Sequence, residues 1–270
     1  MSRLAEYRAS RELLSNLTLR ELRGKYKRSV LGWAWSLLNP LATMLVFSLV
    51  FGKILTGNVA PPTGGGRKGV FALYLMCALL PWNFFANVTS SGLGTLVAQG
   101  GLVRKVWFPR EILILANTAS MIVQFGIEML LLVVGLLLFG NMALPWIPLA
   151  LLLMTLLALF ANGVALTLSA INVYFRDAGY LWAILVQLLF FLTPIVYPPK
   201  LAEQHLPPWA VRLYQANPMA VFTRAFRAAL YELRFPSVWQ FLYMVVAALA
   251  STVFGLFVFA RLSPRFAEEL

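Results

Sequence analysis

Of the 270 residues, 60% are hydrophobic and only 12% charged, with a mean hydropathy of +0.78; a soluble domain carries about 25% charged residues, so a water-soluble globular fold is excluded. The formal net charge of +12 fits a membrane surface better than nucleic acid, because the basic residues lie between apolar runs, where a bilayer presents anionic headgroups. A single cysteine, Cys77, and a single histidine, His205, exclude a disulfide framework and a His/Cys metal cluster.

Met1 to Arg28 is polar and basic and holds no apolar run of leader length, so the first apolar span is expected to direct insertion itself. Within it, Tyr7 to Tyr26 is loosely amphipathic, with Leu13, Leu14 and Leu17 on one side and arginines on the other, although Leu19 and Glu21 break the pattern. Such a segment is expected to lie in the membrane interface. About 20 apolar residues cross the hydrocarbon, and each crossing must be helical to satisfy its own backbone. Ser29 to Gly52 is the first expected span. Gly69 to Val103 is longer than one crossing needs, so the second is expected to tilt or break at Pro81, Gly92 or Gly94. Ser90, Gly94 and Ala98, at four-residue spacing, offer a close helix contact, within the chain or with a second copy.

The loop Gln99 to Glu111 follows. Gly100 and Gly101 end one helix, Pro109 and Arg110 begin the next, and between them Leu102, Val103, Val106, Trp107 and Phe108 alternate with Arg104 and Lys105. Bulky apolar side chains on a water-facing loop point to a protein partner; anchoring of Trp107 and Phe108 in the membrane interface is the alternative. The third span, Ile112 to Phe139, is interrupted only by Glu128. With Gln124 one turn away, Glu128 is expected to be a hydrogen-bonded structural group facing other helices, a direct transport role being the alternative. A turn at Gly140, Asn141, Pro145 and Pro148 separates it from the fourth span, Ile147 to Phe175.

The fifth span is expected over Ala178 to Tyr197 and the sixth over Val238 to Ala260. Between them Pro198, Pro199, Pro207, Pro208 and Pro218 precede a sharper pattern: Phe222, Phe226, Leu230 and Leu233 form one helical stripe, and Arg224, Arg227, Tyr231 and Arg234 the opposite face. A pair of short external helices dipping partway into the bilayer, shaped as a lid over a pore, is expected there. The fold class is therefore an all-α membrane protein of six transmembrane helices. Residues 1–28 form a tail and interfacial helix, 29–262 the membrane domain with its loop 99–111 and external region 198–236, and 263–270 a tail.

Lys and Arg number 14 on the side of the termini and eight on the other. The bias, and the cluster Arg20, Arg23, Lys25, Lys27 and Arg28 just before the first span, predict both termini in the cytoplasm of a plasma-membrane protein.

An enzyme reading fails on missing parts. The ten acidic residues form no cluster between spans that would hold a divalent cation, and the Gly64-Gly65-Gly66-Arg67-Lys68 run lacks the spacing of a phosphate-binding loop. If ATP drives transport, another chain supplies the ATPase. An ion-coupled carrier or flippase is the alternative, supported by Glu128 alone. For a sliding polymer, flat aromatic faces suit a conduit better than tight polar pockets. The candidates are Trp33, Trp35, Phe47, Phe51, Trp82, Phe84, Phe85, Tyr174, Phe175, Phe190 and Phe191, with ordinary packing the competing role for each.

Four stretches resemble a known family. Arg20-Glu21-Leu22-Arg23-Gly24-Lys25-Tyr26-Lys27-Arg28-Ser29-Val30-Leu31-Gly32 with Trp35 and Leu38-Asn39-Pro40 is similar to the opening of ABC-2 type permeases that export polysaccharides and polyol-phosphate polymers. So are the loop Arg104 to Glu111, the stretch Tyr174-Phe175-Arg176-Asp177 leading into Leu192-Thr193-Pro194-Ile195-Val196-Tyr197-Pro198, and Asn217-Pro218-Met219 ahead of Arg227. The motifs occur in order over nearly the whole chain. The family includes O-antigen, capsule, teichoic-acid and galactan exporters; an ABC-2 exporter of a small lipid or drug is a further alternative.

The resemblance implies two copies of this chain and two copies of a separate ATPase that holds ATP and Mg, with a lipid-linked polymer as substrate and no cofactor in this chain. It implies ATPase coupling by Arg104, Lys105, Trp107, Phe108, Arg110 and Glu111. Arg20, Arg23, Lys25, Tyr26 and Arg28 take a cytoplasmic gate, and Phe222, Arg224, Phe226 and Arg227 an external one.

Overall fold

The structure is a computed structural model that describes residues 11–25, 32–50, 70–105, 108–197 and 207–269. Among these the regular elements are helices: α1 (Arg11–Lys25), α2 (Trp35–Leu49), α3 (Phe71–Ala98), α4 (Gly100–Lys105), α5 (Glu111–Leu138), α6 (Ile147–Tyr174), α7 (Ala178–Phe191), α8 (Pro208–Ala216), α9 (Pro218–Leu230), α10 (Val238–Leu262) and α11 (Phe266–Glu269). The protein is all-α. Four of the described helices are long and apolar enough to cross a membrane, namely α3, α5, α6 and α10.

Two of the six expected spans are not among these four. The first holds α2, while its flanks at 29–31 and 51–52 lie outside the described residues. The fifth is a helix of only 14 residues, α7, which stops before Thr193 because a following proline, Pro194, disfavours the helical conformation in the residue before it. The Thr193 hydroxyl donates back to the Leu189 carbonyl at 2.7 Å, satisfying one of the carbonyls that the helix end leaves open.

The core is built around α3, which packs against α2, α5, α6, α7 and α9. It runs unbroken through Pro81, Gly92 and Gly94, the positions read from the sequence as candidate breaks. An interior proline costs about 3 kcal/mol, and the buried run from Leu73 to Trp82 shows what offsets it: neighbouring helices hold this stretch on every side.

Polar side chains tie the helices together where lipid offers no competing partner. Asn117 of α5 donates to Ser91 of α3 at 2.9 Å, Thr118 to Asn162 of α6 at 2.9 Å, and Asn172 of α6 to the Leu93 carbonyl at 3.1 Å. The small-residue contact inside the chain lies on another face of α3 than Ser90, Gly94 and Ala98, which leaves that face to a second copy as the other alternative. Ser90 and Ala98 are exposed and a methyl on Gly94 would meet nothing within 4 Å, whereas one on Gly92 would lie 2.8 Å from the Ala165 side chain. A still closer approach joins α6 to α10 at Gly163 and Gly255.

The α5–α6 turn is fixed by Gly140, whose φ of +81° is open to glycine at little cost. Its N–H donates to Leu137 and that of Asn141 to Leu136, each at 2.9 Å, closing the end of α5.

Helix α9 corrects the sequence reading most sharply. Both of its faces are buried: Phe222, Phe226 and Leu230 on the expected apolar stripe, and also Arg227, Ala228 and Tyr231. It packs on α3, α6 and α10, so an amphipathic pattern that seems to divide membrane from water divides two parts of the interior.

Candidate functional site

One end of the bundle gathers three stretches that are far apart in sequence: α1, the loop 99–111 and the last turn of the chain. Arg20 of α1 donates to the Gln99 side-chain oxygen at 2.6 Å, and Gln99 donates to Glu21 at 3.2 Å, so α1 is tied to the start of the loop. The Arg20–Glu21 pair at 3.4 Å is exposed and adds little by itself. Leu17 is buried and Leu13 and Leu14 pack on the core, with α1 lying along α5. Arg23 is exposed; the Lys25 side chain, Tyr26 and Arg28 lie outside the described residues.

The loop divides its expected docking residues into two groups. Arg104 and Lys105 end the short helix α4 and are exposed, and Glu111 opens α5, where a carboxylate complements the helix dipole. Trp107 lies outside the described residues. Phe108 does not face water: it is buried in the same core cluster as Val103, because folding the loop back onto the helix ends removes the ring from solvent. Arg110 also turns inward. Its guanidinium donates to the Ser263 carbonyl and sits 5.9 Å from the centroid of the Phe266 ring.

Tyr174, read as a channel aromatic, serves the same corner. Its hydroxyl donates to the Leu262 carbonyl at 2.8 Å, and its ring centroid lies 6.2 Å from that of Phe266.

The other aromatics separate by burial. Trp82, Phe84 and Phe85 are core residues. Trp82 packs edge-on to Phe190, Phe85 stacks on Phe160 at 5.6 Å, and Phe84 stacks on Phe125 at 4.6 Å. Phe125 continues to Phe226 and Phe160 to Phe222, so these rings form a packed spine joining α3, α5, α6 and α9. Trp35, Phe175 and Phe191 are exposed. Phe51 and the side chains of Trp33 and Phe47 lie outside the described residues.

At the far end of the bundle, α9 is fastened at both ends. Asn217 caps it by accepting the Met219 N–H at 3.0 Å, and its amide donates to Leu192 and Thr193 at the end of α7. Asn141 donates to the Tyr231 carbonyl at 2.9 Å. Arg227 was expected to face away from the apolar stripe; it is instead 2% exposed, donates to the carbonyls of Tyr74, Pro194 and Ile195, and lies 3.9 Å from the Tyr74 ring centroid. Carbonyl dipoles and an aromatic face therefore take the place of water around this charge. Arg224 stays partly exposed, bonded to Ala220 within its own helix and near the Tyr214 ring of α8.

Glu128 is buried and accepts from Gln124 at 2.8 Å, beside a water-sized cavity lined by Phe84, Asn87, Met121 and Phe125. Among the described residues no three His, Cys, Asp or Glu side chains come together as a metal site; His205 lies outside them.

Residues 12–231 match the family described as ABC-2 type transporter. The chain is similar to an O-antigen export system permease protein of Klebsiella pneumoniae, 27% identical over 263 residues that cover 96% of this chain and 95% of that one. A protein of the same description from Myxococcus xanthus is 30% identical over 227 residues, 84% of this chain and 83% of that one. A polysialic acid transport protein of Escherichia coli is 22% identical over 191 residues, 67% and 68% of the two chains.

Proposed function

The chain belongs to the ABC-2 type transporter family, and on that premise we propose that it is the membrane-spanning permease of an exporter that moves a lipid-linked polysaccharide or polyol-phosphate polymer outward across the plasma membrane. The observation that carries this reading is similarity along nearly the full length to permeases named for O-antigen export. The long apolar helices supply the passage. A separate ATPase, holding ATP and Mg, supplies the force.

Both termini face the cytoplasm in this reading, which puts α1, the loop 99–111 and the last turn on the side where the ATPase docks. Arg104 and Lys105 are the exposed contact groups of that surface, and Glu111 opens the helix that follows; Trp107 belongs to the same loop sequence. Two copies of the chain assemble with two of the ATPase. The α7 helix, which has no buried residue, offers Phe191 and the neighbouring exposed Phe175 as flat faces toward the polymer or the second copy. The helices α8 and α9 close the outer mouth, with Phe222, Phe226 and Arg227 holding the closure from inside and Arg224 nearer its surface.

Reversing two charges tests the docking surface. A chain carrying Arg104→Glu and Lys105→Glu is expected to bind the ATPase about tenfold more weakly in copurification, because charge reversal at an interface costs on the order of a kcal/mol or more. Unchanged binding together with unchanged transport-linked hydrolysis would remove the loop from its assigned role.

A further inference from the structure

We infer that the C-terminal turn of the chain, residues 263–269, braces the loop 99–111 against the bundle, and that Phe266 is the positioning residue through which the loop presents its exposed groups to the ATPase. The inference rests on the reading that this loop meets an ATPase, and adds to it a segment outside the loop.

The geometry is a plug in a socket. Phe266 is fully buried, with the Phe259 ring edge-on at 5.3 Å, Tyr174 at 6.2 Å and the Arg110 guanidinium at 5.9 Å. Two successive carbonyls where α10 passes into this turn are occupied, one from the loop 99–111 and one from the end of α6. Ser263 accepts from Arg110, which closes the loop 99–111, and Leu262 accepts from Tyr174, which stands before the turn at 175–177. The segment after α10 thus ties the loop 99–111 to the end of α6.

The loop needs such support. Its helix α4 has six residues, far below the roughly 12–15 at which an isolated helix holds its shape in water. Its main neighbours are the end of α3 and α11. On the other side Gln99 ties the loop to α1. A loop that passes force between two proteins must resist displacement, and an aromatic ring enclosed by two other rings and a cation supplies resistance where α4 alone supplies none. Arg110, expected from the sequence to contact the ATPase, then acts on the loop from behind.

The test uses the full chain with its ATPase and the variants Phe266→Ala and Phe266→Leu. Phe266→Ala is expected to weaken ATPase binding about tenfold. It should also speed amide exchange at Leu102 to Lys105 by a similar factor, with exchange in α3, α5 and α6 unchanged, because the end of a chain opens locally without unfolding the rest. Phe266→Leu, which keeps an apolar plug, should recover most of the binding. Parental binding in Phe266→Ala overturns the inference, as does faster exchange throughout the bundle. Comparison with the charge-reversed loop separates the two ideas. If charge reversal weakens binding and Phe266→Ala does not, only the brace falls; if neither weakens it, the docking role of the loop falls as well.

Discussion

Arg227→Ala is expected to leave little folded protein after mild heating in detergent. Arg227 is the buried cation of α9, and its side chain holds the carbonyls of Tyr74, Pro194 and Ile195 together. Truncation removes the donors from those carbonyls and empties the space beside the Tyr74 ring; each buried carbonyl left unpaired costs about 1–3 kcal/mol, and the emptied space adds to that. Those carbonyls belong to α3 and to the turn after α7, so the loss should detach α9 from both. Arg227→Lys keeps the charge but not the planar fork that reaches several acceptors while lying on a ring, and should recover only part of the loss. Arg224→Ala is the control. That side chain is partly exposed and bonds within its own helix, so the change should stay within about 1 kcal/mol. The midpoint of thermal unfolding of the three purified variants decides; an Arg227→Ala protein as stable as its parent would show that the clamp does not hold α9.

The second large effect is steric. A Cβ on Gly163 would lie 2.4 Å from the Ser251 backbone and one on Gly255 2.3 Å from the Gly163 carbonyl oxygen, and in both cases backbone atoms stand in the way. No flexible side chain can move aside. Even alanine at either position must push α6 and α10 apart, stretching the Ser251 bond to Phe160 and the Thr252 bond to Leu159, now 2.9 and 3.1 Å. Gly163→Ala and Gly255→Ala are each expected to cost at least the roughly 1–3 kcal/mol typical of overpacking, and Gly163→Leu to abolish assembly. Gly126→Ala, where a methyl meets nothing within 4 Å, should be neutral or stabilising by up to about 1 kcal/mol in a helix interior. Unfolding midpoints that fail to separate Gly163 from Gly126 would contradict the close α6–α10 contact.

What was legible in the sequence follows from what each feature depends on. The long helices depend on runs of apolar residues, and those runs are visible directly: Glu111–Leu138 and Ile147–Tyr174 lie within one or two residues of their expected bounds. The Glu128–Gln124 bond is local, four residues apart on one helix, and could be read from spacing. Arg227 could not, because its partners are backbone carbonyls on other elements, which leave no side-chain signature. Its arginine therefore reads as surface. Phe108 and Tyr174 are ambiguous for a related reason: an aromatic near a helix end looks the same in sequence whether it meets a partner, the polymer or the chain's own interior. The placement of Phe266 beside Tyr174 and the burial of Phe108 become visible only in the fold. Pro81 signals a break by composition, yet the surrounding packing keeps α3 continuous, so tertiary context overrides propensity there.

Reconstitution tests the central claim most directly. The purified chain is placed in vesicles with a fluorescent lipid-linked polymer on the outside of inverted membranes, with and without its ATPase, and with an ion gradient imposed in parallel. Uptake is expected only with the ATPase and ATP, at a rate that Glu128→Gln leaves largely intact, since an ATP-driven passage needs no titrating carboxylate. Uptake by the chain alone, driven by the ion gradient and stopped by Glu128→Gln, would contradict it.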